Sequence, residues 1–240
     1  MRILSYNIHK GIGGRDRRYQ LPRILEVIEH ARPDVLCLQE VARGARRSRR
    51  HNQPAILEAH LTELHRQPVF HLYQQTVRYK LGGYGNLLLS RWPILVQHAI
   101  SLRHGQRKPR GAQLAVIDAP GGPVYLAHIH LGLSERERHW QMEHLLSHQL
   151  FRESLDLPTA IVGDTNDWRN TLARGRLAAD GFVQVTSPLS RFRTFPAYMP
   201  VGSLDKAYCR GTVEVAGAHV VRSKLARVAS DHLPLAVDLA

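Results

Sequence analysis

The stretch Ile161-Val162-Gly163-Asp164-Thr165-Asn166-Asp167-Trp168 decides how this chain is read. The apolar run from Thr159 to Val162 has the character of a buried strand. It stops at Gly163, and polar side chains then crowd into the next four positions. A carboxylate and a carboxamide at the edge of a core are costly unless something there uses them. An aspartate in that place can hold a water, and an asparagine can orient a charged oxygen. Gly, Asp and Asn are also the commonest turn formers, so the stretch alone predicts a turn. It gains meaning only if other strands end the same way in the same place.

Working outward, the chain opens strand, helix, strand. Arg2 to Ile8 is a short strand. Leu21, Ile24, Leu25 and Ile28 recur at helical spacing, with Pro22 in the first turn and Pro33 as the stop. Val35 to Leu38 is a fully apolar strand that ends in Gln39-Glu40. A parallel βαβ unit places both strand ends side by side. Leu57, Leu61 and Leu64 mark a second helix. Strands are expected over Val69–Tyr79, Asn86–Ser90 and Ile94–Leu102, with Gly82 to Gly85 turning the chain. Gln113–Asp118 and Val124–His130 form a hairpin through Pro120-Gly121-Gly122. Ser134 and Glu137 make a capping box for a helix whose apolar face is Met142, Leu145, Leu146 and Leu150. A short helix is expected near Leu172–Ala179, then strands at Val183–Val185, Ser203–Cys209, Val213–Val221 and Leu233–Leu239. Hairpins mixed with strand–helix alternation fit an α/β fold of two mixed sheets packed face to face, helices outside: a four-layered α/β sandwich. No linker, repeat or low-complexity segment divides residues 1–240, so one domain is expected.

Composition narrows the function classes. Of 240 residues 43% are hydrophobic, enough for a sizeable core, yet no apolar stretch is long enough to span a bilayer. The first residues read as a strand and lack the h-region and cleavage site of a signal peptide. Cys37 and Cys209 lie in apolar runs and are read as free thiols of a reducing compartment. A cytoplasmic monomer is therefore expected, with the inner face of the membrane as the alternative place. Lys plus Arg is 33 against 20 Asp plus Glu, a net charge of +13. Such a field favours polyanions, either nucleic acid or an anionic membrane surface. Arg43, Arg46, Arg47, Arg49 and Arg50 fall within eight residues, and Arg103 to Arg110 is a second basic loop.

The strand-end habit recurs. Asn7 closes the first strand, Glu40 follows Val35–Leu38, His130 closes Val124–Ile129, and Asp231-His232 precedes the last strand. Asp205 sits within a strand, where a charge needs a partner. Each has an ordinary reading: Asn7 bonding a loop, Glu40 paired with Arg43 or another arginine, His130 satisfied in the core, Asp205 paired with Lys206 or Arg210. As a set they offer carboxylate, amide and imidazole groups with no sulphur. Oxygen donors suit Mg²⁺ or Mn²⁺ rather than a structural zinc. Two histidines and an activated water suit phosphate-ester hydrolysis. A serine hydrolase fits worse, since no Gly-x-Ser-x-Gly elbow is present.

Five motifs in order, Ser5-Tyr6-Asn7-Ile8, Leu38-Gln39-Glu40-Val41, His128-Ile129-His130-Leu131-Gly132, Gly163-Asp164-Thr165-Asn166-Asp167 and Ser230-Asp231-His232, resemble the endonuclease/exonuclease/phosphatase family, with its DNase I-like fold. Asn7-Ile8-His9-Lys10-Gly11, Gly163 to Trp168 and Arg193-Thr194-Phe195-Pro196 are similar to a bacterial branch often encoded beside cardiolipin synthase. The resemblance implies a Mg²⁺-dependent phosphoesterase, with Mn²⁺ able to substitute. In it Glu40 is the main metal ligand, with Asn7 and Asp231 beside it. Asp164 orients or deprotonates the attacking water, and Asn166 helps hold water and phosphate. His130 and His232 contact phosphoryl oxygens, with Asp205 orienting His232. Thr165 stands where many relatives carry Phe, a change expected to affect packing before chemistry. Arg110 and Asn86 are candidate substrate contacts, each balanced against a structural role. The expected activity is a nuclease-type phosphodiesterase on DNA or RNA. A phospholipid or inositol-phosphate hydrolase is the alternative, and a non-catalytic polyanion-binding protein the third reading.

Overall fold

The computed structural model describes residues 1–154 and 156–240. Twelve strands among them form two six-stranded mixed sheets. The first contains β1 (Arg2–Asn7), β2 (Val35–Arg43), β3 (Phe70–Arg78), β4 (Gly83–Ser90), β11 (Val215–Val220) and β12 (Leu235–Leu239), in the spatial order β11-β12-β1-β2-β4-β3. The second contains β5 (Ile94–Ser101), β6 (Gly111–Ala119), β7 (Gly122–His130), β8 (Thr159–Asp164), β9 (Val183–Gln184) and β10 (Asp205–Arg210), in the order β5-β6-β7-β8-β10-β9. The sheets pack face to face with the helices outside, as the mixed strand pattern implies. Those helices are α1 (Leu21–Ala31), α2 (Gln53–His65), α3 (Glu135–Ser147), α4 (Gln149–Arg152), α5 (Arg176–Ala179) and α6 (Ala226–Ala229).

Each sheet has a parallel pair at its heart. β1 runs parallel to β2 with Asn7 opposite Gln39, and β7 runs parallel to β8 with His130 opposite Asp164. These pairs face one another across the inter-sheet core, where Leu4, Leu36 and Leu38 meet Leu126, Ala160 and Val162. Ile161, one residue out of phase, points the other way and joins Ile129, Met142, Leu145 and Leu146 beneath α3. Strand alternation thus sends apolar side chains into cores on both faces, which is why the run is continuous rather than alternating. All four strand ends therefore arrive at one edge of the sandwich.

Gly163 is what lets β8 reach that edge. Its φ is 149°, and a Cβ there would lie 1.9 Å from the carbonyl oxygen of Ile129 on β7. Only glycine permits so close an approach at this backbone angle. Gly83 and Gly85, expected in a turn, belong to β4 instead; a Cβ on Gly85 would meet the Gln74 carbonyl at 1.8 Å.

Other boundaries shift for visible reasons. The helix expected to run through Leu150 breaks at His148, whose ring Nδ1 accepts from the Leu150 amide at 3.2 Å and starts α4. The strand expected from Ser203 begins at Asp205, because the Leu204 carbonyl bonds both the amide (2.9 Å) and the hydroxyl (2.7 Å) of Thr165. Thr165 is fully buried and uses its hydroxyl structurally, a role that a phenylalanine has no means to play. Cys37 and Cys209 are buried free thiols. Among the described residues no helix is long and apolar enough to cross a membrane.

Candidate active site

Glu40 owes its direction to a break in the sheet. The β2–β4 register shifts between Leu38 and Val41, and Glu40 takes a left-handed φ of 58°. A bulge of this kind re-aims a side chain. The carboxylate, almost fully buried, is ion-paired with Lys10 and lies 3.9 Å from Lys108. The arginine partner expected from sequence is thus replaced by two lysines. Both ammonium groups sit over the Tyr84 ring, at 4.8 and 5.4 Å. The Lys10 backbone is held in turn by Ser48 Oγ (3.1 Å) and Gln53 Nε2 (2.7 Å), which donate to its carbonyl. Burial pushes the Glu40 carboxyl up, but the lysines outweigh it and hold it below its ordinary value.

Three further strand ends converge on Asp164. Asp205 on β10 is its register partner across one side, and His130 on β7 across the other. Asn7 Nδ2 donates to Asp164 Oδ2 at 3.0 Å, and the Asn166 amide donates to Oδ1 at 3.0 Å. Oδ2 also lies 3.5 Å from His130 Nε2 and 3.7 Å from His232 Nε2. Asn166 has a φ of 51°, and its Nδ2 donates to the Leu131 carbonyl at 3.0 Å. The loop stretch is therefore a turn and part of the cluster at once. His232 Nδ1 meets Asp205 Oδ2 at 2.8 Å, and Asp205 Oδ1 is buried without a hydrogen-bond partner among the described residues.

The sequence leaves Lys206 as a partner for Asp205. Strand alternation prevents it. Lys206 is fully buried on the opposite face, with Nζ 3.6 Å from Asp167, and Arg138 lies 3.5 Å from the same carboxylate. Arg110 is 5% exposed, so it is not a solvated loop residue, and its guanidinium contacts the His130 ring. Asn86 donates to the Gly111 carbonyl at 3.0 Å and so supports the strand start that delivers Arg110. Asp231 lies 3.3 Å from Ser230 Oγ and 3.7 Å from His9 and is partly exposed. The Ser230 hydroxyl donates to the Asn7 carbonyl at 2.7 Å.

Burial and neighbours set unlike charges on these groups. Burial alone would lower the His232 pKa, but the Asp205 and Asp164 carboxylates outweigh it and raise it to about 10. His130 is held well below its usual range by burial and by the cations Arg110 and Lys108. Burial raises Asp164 to about 6, with Asp205 adding to the rise and His232 opposing it. At neutral pH the site thus holds an imidazolium, a neutral imidazole and a carboxylate around one point.

Two groupings bear on a metal. Asp164, Asp205 and His232 offer ligand atoms within 4.8 Å of one another. A protonated His232 has no free lone pair, so this trio suits hydrogen bonding and proton transfer better than coordination. Glu40 is different: a buried carboxylate that draws two ammonium groups is a site for positive charge, and Asn7 Oδ1, bonded to the His9 amide at 3.1 Å, adds a neutral oxygen at the end of the adjoining strand. These donors fit a hard divalent cation. Lys10, Lys108 and Tyr84 are absent from the sequence-based site. Lys10 lies within the Asn7–Gly11 motif and Lys108 two residues before Arg110, but only tertiary contact gives them a common target.

Beside the cluster lies a cleft of about 750 Å³, lined by His9, Arg17, Arg47, Phe195, Tyr198 and Asp231 among others. The Phe195 ring packs 4.9 Å from the His232 ring, which ties the cleft wall to the charged centre.

Residues 4–232 match the family model described as Endonuclease/Exonuclease/phosphatase family. A relative from Escherichia coli K12, described as uncharacterized protein YbhP, is 28% identical over 256 residues, covering 99% of this chain and 95% of its own. An endonuclease/exonuclease/phosphatase structure from Beutenbergia cavernae superposes with a TM-score of 0.80 at 22% identity, over all of this chain and 71% of that one. The Bacteroides thetaiotaomicron mannosyl-6-phosphatase Bt3783 has a TM-score of 0.75 at 14% identity, over all of this chain and 99% of its own. At these identities the two structures show a shared fold.

Proposed function

The chain belongs to the endonuclease/exonuclease/phosphatase family, and on that premise we propose that it is a metal-dependent phosphodiesterase. Family membership supports phosphate-ester hydrolysis in general. The finer reading is carried by one observation: a carboxylate, Asp164, set between a charged His232 and a neutral His130 that touches Arg110.

In this reading Asp164 accepts a proton from water as the water oxygen bonds to phosphorus. Asn166, whose backbone amide holds Asp164 Oδ1, keeps that carboxylate in place and offers its own amide to the water or phosphate. His232 and Arg110 donate to the phosphoryl oxygens, where negative charge grows as the phosphorus–oxygen bond to the leaving group breaks. His130, neutral, accepts from the Arg110 guanidinium through its ring and holds that cation at the centre without adding charge. Asp205 fixes the His232 ring through Nδ1 and keeps it protonated. A Mg²⁺ or Mn²⁺ held by Glu40 and Asn7 would supply Lewis-acid stabilisation of the same oxygens. Asp231, on the cleft wall, is the outermost of the three metal-ligand candidates.

Arg17 and Arg47 line the cleft, so an anionic phosphodiester is the fitting substrate. Nucleic acid and anionic headgroups both present one, and charge alone does not separate them. The deciding experiment is hydrolysis of a chromogenic phosphodiester, plasmid DNA, RNA and phospholipid with Mg²⁺, Mn²⁺ or EDTA. Loss of all hydrolysis in EDTA and recovery with Mg²⁺ is expected; full activity in EDTA, or none on any phosphodiester, overturns the proposal.

A further inference from the structure

One wall of the cleft carries an apolar lip that the chemistry above does not use. The chain from Thr194 to Gly202 folds back on itself: the Phe195 and Gly202 amides and carbonyls bond each other at 3.0 and 2.8 Å, and the Val201 amide bonds the Phe195 carbonyl at 2.9 Å. The Ala197 amide is pinned to the Asp231 carbonyl at 2.7 Å. At the tip Tyr198, Met199 and Val201 are 49%, 61% and 55% exposed. Trp168, 53% exposed, joins them from the end of the signature loop. Its ring lies 5.9 Å from Phe195 and so close to Gly202 that a Cβ there would meet it at 2.6 Å.

Single exposed apolar residues are ordinary, but a built turn that displays three large ones, with Trp168 packed against its base, is a binding feature. Trp and Tyr are the side chains that settle at a membrane–water interface. Arg169 and Arg193 flank the lip in sequence and are exposed, and Arg17 and Arg47 share the cleft with Tyr198. Apolar side chains beside a cleft that carries Arg17 and Arg47 match an anionic lipid surface, where acyl-chain contact and headgroup attraction add.

We propose that the lip formed by Trp168, Tyr198, Met199 and Val201 docks this protein on an anionic lipid bilayer, with the cleft facing the headgroups. The proposal deepens the phosphodiesterase reading and rests on it for the substrate, which becomes a phosphodiester presented at the bilayer. The lip is joined to the centre through Phe195, which touches both Trp168 and His232. Docking therefore bears on the same wall that holds the imidazolium.

The test uses the full chain and vesicles of phosphatidylcholine with or without 30 mol% phosphatidylglycerol, read by sedimentation and tryptophan fluorescence. Wild type is expected to partition at least tenfold better onto the anionic vesicles, with a blue shift. The pair Met199→Asp and Val201→Asp should cut that partition at least tenfold, while hydrolysis of a soluble chromogenic phosphodiester stays within about twofold. Trp168→Phe, which keeps the packing on Gly202, should remove most of the blue shift. No vesicle binding, or binding that the lip variants leave intact, overturns the proposal. So does an equal loss of single-stranded DNA binding in the lip variants, which would make the lip a platform for bases. Because soluble phosphodiester hydrolysis is measured in parallel, failure of the lip is separable from failure of the phosphodiesterase reading.

Discussion

Asp205 Oδ2 stands 2.8 Å from His232 Nδ1, although the two residues come from different sheet neighbourhoods and lie 27 positions apart. That contact fixes one ring nitrogen and leaves Nε2 directed toward Asp164, 3.7 Å away. If the pair works as a unit, Asp205→Asn and His232→Ala should each slow turnover by roughly 10²-fold or more. The double variant should then lose far less than the product of the two. Fully multiplicative losses would assign Asp205 a separate, structural role.

The same pair sets the pH dependence. Asp164 must be ionised to take a proton, so the rate should fall as pH drops through about 6. His232 must be protonated to donate, so the rate should fall again as pH rises through about 10. In Asp205→Asn the main carboxylate that raises His232 is gone. The alkaline limb should therefore move down in pH while the acid limb moves less. A pH profile of kcat on a soluble phosphodiester reads both limbs; an unmoved alkaline limb would detach it from His232.

Glu40→Gln keeps the shape of the side chain and removes its charge. Metal affinity, measured by Mn²⁺ titration calorimetry or electron paramagnetic resonance, should weaken at least tenfold along with the rate. Unchanged affinity would move the metal away from Glu40.

Arg46, Arg47, Arg49 and Arg50 follow β2, and all four are exposed. If the nuclease reading is right, replacing them with serine should flatten the salt dependence of DNA binding, by roughly 0.9 in log–log slope for each arginine that contacts a phosphate. An unchanged slope would leave them as a solvated face.

His128 tests the scaffold rather than the chemistry. It is fully buried between Gln39 (2.7 Å) and Gln113 (2.8 Å), and burial lowers its pKa to about 3. The folded ring stays neutral while the unfolded one takes a proton below about 6.5. This contribution to stability is complete above that value and is lost as pH falls toward 3, at ~1.4 kcal/mol per pH unit. Urea midpoints between pH 7 and 5 should slope less in His128→Leu than in wild type. Equal slopes would place the acid sensitivity elsewhere.

Gly163→Ala forces a Cβ against the Ile129 carbonyl at a backbone angle that L-residues avoid. A loss of at least about 2–3 kcal/mol in unfolding free energy is expected. Wild-type stability would mean that β7 and β8 can separate there at little cost.

The sequence by itself determined the two-sheet architecture. A fully apolar run at Val35–Leu38 or Thr159–Val162 has only one comfortable place, between layers, and a run that ends in Glu40 or Asp164 must end at an edge. Those are local statements about solvation, and local sequence carries them. It also carried Asn7, Glu40, His130, Asp164 and His232 as one candidate set through ordered motifs, with Asp205 joining them as a charge within a strand. What it left open was which groups touch. Whether Asp205 turns toward His232 or pairs with Lys206 depends on strand phase and on the β8–β10 register, which put Lys206 on Asp167. Glu40 meets Lys10 and Lys108 because a bulge re-aims it, and Arg110 lies buried against the His130 ring next to the strand start that Asn86 bonds. Contacts between residues tens to hundreds of positions apart are set by packing of whole sheets, and the charge state of each group follows from those contacts. Chemistry at the site was therefore decided only in the tertiary structure, where burial and neighbouring charges compete over distances that no local pattern encodes.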